Sequence, residues 1–238
     1  FGAGGGQPSH HELLDWLAGW FQQNNYSLKS LHRLIVTSMT YRQSSASRPD
    51  ALGRDRDNRL LWRFAPKRLE GEAVRDSLLQ AAGMLNTQQS GPSYEDVKEI
   101  HFNAGRYYHP IEVKGPKFDR RTIYRFSPRG ERDAILDTFD CPDPSATAPT
   151  RAVTTTPLQA LTLSNNVFVW RMADGLANRV RKEAGEAPPG QVRRAWQLSL
   201  GREPDEMERS QAAAMITKHG LPSLCRALFN SSEFVVIE

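Results

Sequence analysis

From Ser9 onward, apolar residues recur with a helical period. In "SHHELLDWLAGWFQQ", Leu13, Leu14, Leu17, Trp20 and Phe21 gather on one face. Ser9 stands where an N-cap is needed, and Glu12, three residues on, would complete a capping box. A second stripe, Leu28, Leu31, Leu34, Ile35 and Met39, starts near Ser27. The short Asn24-Asn25-Tyr26 connection predicts an antiparallel helical hairpin. Residues 43–59 lose the period; Pro49, Gly53 and alternating Arg and Asp read as a solvated loop. The pattern resumes in "RLLWRFAPKRLEGEAVRDSLLQAAGML", with Val74, Leu78, Ala81, Ala82 and Leu85 at three- and four-residue steps and Pro66 setting off a short leading segment.

Residues 86–150 are irregular, punctuated by Gly91-Pro92, Gly105, Gly115-Pro116, Pro128, Pro142, Pro144 and Pro149. Their one extended candidate is Thr122–Phe126. A segment this long is uncommon in a compact domain unless it packs as a strap. Its aromatics (Phe102, Tyr107, Tyr108, Phe118, Tyr124, Phe126 and Phe139) argue for order, because disordered linkers are poor in them. A helix then starts in "TTTPLQALTLSNN": Thr156 as N-cap, Pro157 at N1 and Gln159 as the capping-box partner. Leu158, Leu161 and Leu163 are its apolar residues, and Asn165-Asn166 mark a break or a polar face. Phe168, Met172, Leu176 and Val180 repeat every four. Val192, Ala195, Trp196 and Leu200 form a further stripe closed by Gly201, Asp205 and Glu208 open another helix, and a last one begins near Pro222. The fold class is therefore mainly α: six to eight helices in hairpins or a bundle, a long ordered irregular segment, and room for one small β-hairpin. The chain reads as a single helical domain over 1–238, with subdomains 1–155 and 156–238 as the alternative division.

Composition narrows the function. No apolar run approaches the ~20 residues that span a bilayer. The chain begins "FGAGGG", without initiator Met or signal-like segments, which is read as a missing natural N-terminus. The net charge of +4 and a pI near 9.2 suit weak attraction to anionic partners, but the basic residues are spread out and a nucleic-acid reading rests on pI alone. Two distant cysteines, Cys141 and Cys225, with no CxxC or CxxCH, argue against haem attachment or a cysteine-rich zinc site within the chain. No GxSxG, Walker A, GxGxxG or HExxH pattern is present, and "GAGGG" lacks the strand and the Lys-Ser/Thr of a phosphate loop.

Three groups of residues could carry chemistry. Asp137, Asp140 and Asp143 stand at three-residue spacing, which suits calcium or a glycosidase carboxylate pair; against that, the EF-hand loop pattern is missing, and Asp before Pro or Ser is ordinary turn chemistry, the favoured reading. Arg120, Arg121, Arg125, Arg129 and Arg132, with Arg151 beyond them, could grip sulfate or carboxylate groups bidentately. The competing use is pairing with Asp133, Asp137 and Asp140 to pin the strap. Tyr107 and His109, with His101 and Tyr108, could stack on sugar rings, although burial in the core is the commoner fate of such a cluster. His32, beside an apolar stripe, reads as a packing histidine. No metal site is read.

Eight strings, "PSHHELLDWLAGWF", "SLKSLHRLIVTSMTYRQSS", "NRLLWRFAPKRLEGEAVRDSLL", "RRTIYRFSPR", "TFDCPD", "TTTPLQALTLSNN", "LGREPDEMER" and "LFNSSEF", resemble in this order the C-terminal domain of a planctomycete family catalogued as domain of unknown function 1553. The resemblance covers nearly the whole chain. It implies a position at the C-terminal end of a larger exported polypeptide in the periplasm or cell envelope, with upstream domains that often include a c-type cytochrome-like module holding any haem. It supplies no catalytic residues. His11 stands where the family more often has proline, and residues 148–150 lack the cysteine expected before Arg151; a bridge made there in relatives would be absent here or rerouted through Cys141. The leading expectation is a non-catalytic structural or interaction module, its partners the upstream domains, an anionic polysaccharide or an envelope protein. The alternative is a polysaccharide-binding or polysaccharide-degrading domain using Asp137, Asp140, Asp143 and the Arg120–Arg132 stretch.

Overall fold

The computed structural model describes residues 6–237; most of the glycine-rich start, Phe1–Gly5, lies outside the described residues, as does Glu238. Two compact units divide the chain, one reaching to Lys67 and one running from Arg68 to Ile237. Within the second unit, segments on either side of Thr156 are bonded to its earlier part: Gln159 donates to the Thr138 carbonyl at 3.0 Å, and Arg151 pairs with Glu72 at 2.8 Å. The architecture is mainly helical, with ten α-helices among the described residues.

The first unit holds α1 (His11–Gln23), α2 (Leu28–Thr37) and α3 (Pro49–Arg54). Asn25 and Tyr26, both at φ 54°, turn the chain between α1 and α2, and the Tyr26 ring meets Phe21 edge-on at 5.5 Å. Ser27 caps α2 by accepting the Ser30 N–H. The expected Ser9 cap is absent: α1 starts one residue later, its N-cap His10 makes no side-chain bond, and the Ser9 hydroxyl meets His10 Nδ1 instead. α3 falls inside the stretch read as loop. Six residues are too few to show an apolar period, although Pro49 at its start and Asp50 in its first turn suit a helix N-terminus. Residues 61–66, read as resuming a helix, are irregular. No residue between 6 and 67 is buried, and His32 is exposed rather than packed.

The second unit holds α4 (Gly71–Ala81), a hairpin of β1 (Val97–Phe102) and β2 (Gly105–Pro110), then α5 (Ala134–Thr138), α6 (Pro157–Asn165), α7 (Val167–Ala184), α8 (Pro188–Ser199), α9 (Glu206–His219) and α10 (Leu221–Phe229). α7 is its axis, packed against α4, α6, α8 and α10. Val169, Met172, Leu176 and Val180 on α7 are fully buried against Val74 and Leu78 of α4, Val192 of α8 and Phe229 of α10. Each such side chain contributes about 1.5–3 kcal/mol. Gly175 lets α7 come close to the end of α4: a Cβ there would lie 2.8 Å from Met84 Sδ and 3.1 Å from Ala82 Cβ.

Local chemistry sets where these helices begin. Thr156 and Gln159 exchange side-chain and backbone bonds in a capping box, with Pro157 at N1. Gln159, 2 % exposed, also accepts from Arg68 at 2.7 Å, so the cap ties α6 to the start of the unit. Asn166 breaks the chain between α6 and α7 and caps α7 through the Phe168 N–H. Asp205 and Glu208 form the second box, opening α9. Leu163 is buried, whereas Leu158 and Leu161 are exposed.

The irregular segment is ordered across α4 and α7. Arg75 of α4 donates to the carbonyls of Arg120 and Phe118, Arg171 of α7 makes a bidentate pair with Asp119, and Tyr94 and Phe139 are buried. The β-hairpin lies at 97–110 and not at Thr122–Phe126. Thr122–Tyr124 is a single 3-10 turn, held because Asp76 of α4 accepts both the Thr122 N–H and its hydroxyl, at 2.8 and 2.7 Å. Of the aromatics expected to pack, Phe102 and Tyr107 are instead more than half exposed.

Candidate functional site

An apolar groove of about 710 Å³ opens within the first unit. Leu13, Trp16 and Leu17 of α1 face Leu34 and Ile35 of α2 across it, and Leu60, Leu61 and Phe64 close it from the loop. Part of the stripes predicted for α1 and α2, Leu13, Leu17, Leu34 and Ile35, therefore lines an open surface: Leu13 is 45 % exposed, and Trp16 and Leu60 beside it are 55 % and 74 % exposed. Polar groups hold the loop in place. The Asp55 carboxylate accepts the N–H groups of Arg59 and Leu60, the Asn58 side chain brackets the Arg63 peptide, and Gln43 donates to the Leu61 carbonyl at 2.7 Å. Leu61 itself sits at φ 55°, a left-handed conformation that costs a bulky residue about 1–3 kcal/mol and persists only where surrounding bonds impose it.

The charges around the groove are one-sided. Arg63, Lys67 and His10 border it, and no carboxylate does. Residues 1–67 contain nine Lys and Arg against five Asp and Glu, whereas residues 68–238 contain 22 of each, so the net charge of +4 falls within the first 67 residues.

The residues singled out from sequence lie elsewhere, in the second unit. Arg125, Arg132, Asp137 and Asp143 do meet, around a crevice of about 30 Å³, which holds on the order of one or two water molecules and no sugar ring. Arg132 bridges Asp137 and Asp143, each at 2.9 Å, and Asp140 accepts the N–H and hydroxyl of Thr154. Asp143 is held below the usual carboxylate range, chiefly by hydrogen bonds from Ser145 and also by Arg132. Arg125 is buried among Asp96, Glu131 and Asp133; burial opposes its charge, and hydrogen bonds to Asp96 and Glu131 overcome that, leaving it more basic than a free arginine. Arg120 donates to the carbonyls of Pro92 and Ser90, and Arg121 to Asp76. Arg151 grips Glu72 with both terminal nitrogens, and its hydrogen bonds hold that carboxyl below its ordinary value against the effect of burial. Arg121 and Arg151 pin the irregular segment onto α4, and Arg120, Arg125 and Arg132 tie parts of that segment to one another.

Cys141 and Cys225 are free thiols. Burial, with Glu72 beside it, pushes Cys141 up to about 11, and burial pushes Cys225 up to about 12, so neither is a thiolate nucleophile near neutral pH. Among the described residues, no group of three or more His, Cys, Asp or Glu is placed to hold a metal ion, and no helix is long and apolar enough to cross a membrane. Tyr107 and His109 stand exposed on the β-hairpin, not in the core. Sequence reasoning passed over Leu60, Leu61 and Phe64 as groove residues; the signal available was an apolar run directly after a polar loop.

Residues 1–216 match the family model described as PSD1, protein of unknown function (DUF1553). No curated protein and no solved structure matches the chain.

Proposed function

The chain belongs to the PSD1 family of proteins of unknown function (DUF1553), and we propose that it acts as a non-catalytic interaction module whose first unit receives an acidic amphipathic segment of a partner protein. The groove carries this reading: apolar walls, a preset loop, cations at the margin and no carboxylate. An apolar stripe on the incoming segment would remove Leu13, Trp16 and Leu60 from water at about 25 cal/mol per Å². Flanking carboxylates would meet Arg63 and Lys67, speeding encounter and setting orientation. By the resemblance drawn from sequence, the partner segment belongs to an upstream domain of the same exported polypeptide or to a second envelope protein. The alternative of a polysaccharide-degrading enzyme has less behind it, since Asp137 and Asp143 are paired with Arg132 around a crevice too small for a sugar and Asp140 is bonded to Thr154.

Tryptophan fluorescence titrations test the proposal, using a synthetic leucine-striped peptide flanked by glutamates, its lysine-flanked counterpart, and phosphatidylserine vesicles. The acidic peptide is expected to bind with an affinity that falls with salt and drops at least about tenfold in Leu34→Asp, which places a carboxylate in the groove. Failure of the acidic peptide to bind, or a response to vesicles alone, would overturn it.

A further inference from the structure

The β1–β2 hairpin presents two unlike faces. Its register pairs Lys98 with His109, Ile100 with Tyr107 and Phe102 with Gly105, and because strand residues alternate sides these six share one face. Val97, Glu99, His101, Arg106, Tyr108 and Pro110 share the other. That second face packs inward at Val97, which is buried, and at Tyr108, which meets Phe126 edge-on at 6.0 Å, while His101 and Arg106 nearer the turn stay exposed. Glu99, the hairpin's one carboxylate, lies on it with His101 and Arg106 at 3.2 and 3.5 Å. The outward face carries two exposed aromatic rings, Phe102 at 65 % and Tyr107 at 53 %, beside Lys98 and His109 and without any acidic side chain.

The Tyr107 ring also lies back over Gly105. A Cβ on Gly105 would fall 2.9 Å from its Cε2, 3.2 Å from its Cζ and 3.1 Å from its hydroxyl, so the ring occupies the space that a side chain at position 105 would fill. Gly105 opens its strand, and the missing side chain there lets an aromatic ring lie over the backbone while more than half of Tyr107 stays exposed.

We propose that this outward face binds an anionic polysaccharide, with sugar rings stacking on Tyr107 and Phe102 and carboxylate or sulfate groups meeting Lys98 and His109. Ring faces suit the C–H faces of sugars, and the separation of Glu99 onto the opposite side leaves the platform cationic. Insertion into a bilayer fits less well, because it would carry Glu99, His101 and Arg106 into the apolar layer along with the aromatics. The site is independent of the groove in the first unit.

Binding of the full chain to immobilised polygalacturonate, dextran sulfate and neutral dextran, with phosphatidylserine vesicles alongside, tests this. Retention is expected on polygalacturonate, dextran sulfate or both, the pattern telling carboxylate from sulfate recognition, and not on dextran. Tyr107→Ala is expected to weaken it by roughly tenfold, and Tyr107→Phe by less than about twofold. Gly105→Val should act like Tyr107→Ala by displacing the ring, and Lys98→Ala should flatten the salt dependence. The groove variant Leu34→Asp should bind as the parent does, which separates this site from the peptide groove. Absence of retention on both anionic polymers, retention indifferent to Tyr107→Ala in a variant with parental circular dichroism, or tighter binding to vesicles than to either polymer would overturn it.

Discussion

Residues 6–67 contain no buried position, while residues 68–237 enclose a core in which Val74, Leu78, Met172, Leu176 and Val192 have no solvent exposure. The two units draw on similar residue types and use them differently. In the second, arginines are spent inside, each against carboxylates or carbonyls: Arg125 with Asp96 and Glu131, Arg171 with Asp119, Arg75 with two strap carbonyls. In the first, Arg48 and Arg63 lie over the Trp62 ring at 5.5 and 4.9 Å, and the net positive charge stays on the surface. The contrast teaches where each unit gets its order. The second is held by burial and internal charge pairing; the first is held by local hydrogen bonds around Asp55 and Asn58, and its apolar side chains remain available to a partner.

The sharpest break of this contrast is Arg125→Ala, which leaves Asp96, Glu131 and Asp133 without their shared cation. Urea denaturation is expected to show a loss of about 3–5 kcal/mol, and a loss below 1 kcal/mol would mean that the buried cluster does not hold the strap. Next comes Leu176→Ala on α7, expected to cost about 2–5 kcal/mol by the same measurement. Its counterpart in the first unit, Leu28→Ala at a position 60 % exposed, should stay within about 0.5 kcal/mol. Equal losses from the two would erase the distinction between the units.

A smaller effect follows at the cap of α6. Thr156→Ala removes one half of its capping box and is expected to cost about 1 kcal/mol, read as a lowered melting temperature, with Thr156→Ser retaining most of it. The acid response of the second unit sharpens the comparison further. Arg202 binds Glu208 and Glu233 and holds the Glu208 carboxyl down at about 2, against an ordinary value of 4.5. A carboxyl lowered on folding adds stability that is complete above its unfolded value and is lost as pH falls through its folded one. The contribution should therefore drain away between about pH 4.5 and 2, on the order of 1 kcal/mol after solvent screening of this half-open pair. Glu208→Gln should lower the urea midpoint at pH 6 and flatten its decline toward pH 2. A parental pH profile in that variant would sink the assignment.

Elements whose determinants lie close together along the chain could be read in advance. The Thr156-Pro157-Gln159 box, the Asp205–Glu208 box, the Ser27 cap and the Met172, Leu176, Val180 stripe each depend on residues within a turn or two of one another. The failures come from distance. Thr122–Phe126 has strand-like composition, yet Asp76, in another helix, turns Thr122–Tyr124 into a 3-10 coil. The strand pair formed instead at 97–110 around Asn103 and Ala104, both at positive φ, where Ala104 gives none of the usual glycine signal for a two-residue turn. The Arg and Asp residues could be listed as a group, but whether they opened a cleft or closed a clamp depended on which of them faced inward. The groove was hidden for a related reason: an apolar stripe announces a face to be covered without saying what covers it.

By itself the sequence determined the helical class, the starts of α2, α6 and α9, the ordered character of the irregular segment and the family to which the chain belongs, because caps, periodicity and motif order are carried by neighbouring residues. Only the tertiary structure decided that the arginine-rich strap is internally paired, that the apolar stripes before Lys67 line an open groove, and that Tyr107 stands outward over Gly105. Those outcomes turn on contacts between residues tens of positions apart and on which face of each element is left to solvent, and a one-dimensional pattern leaves both free.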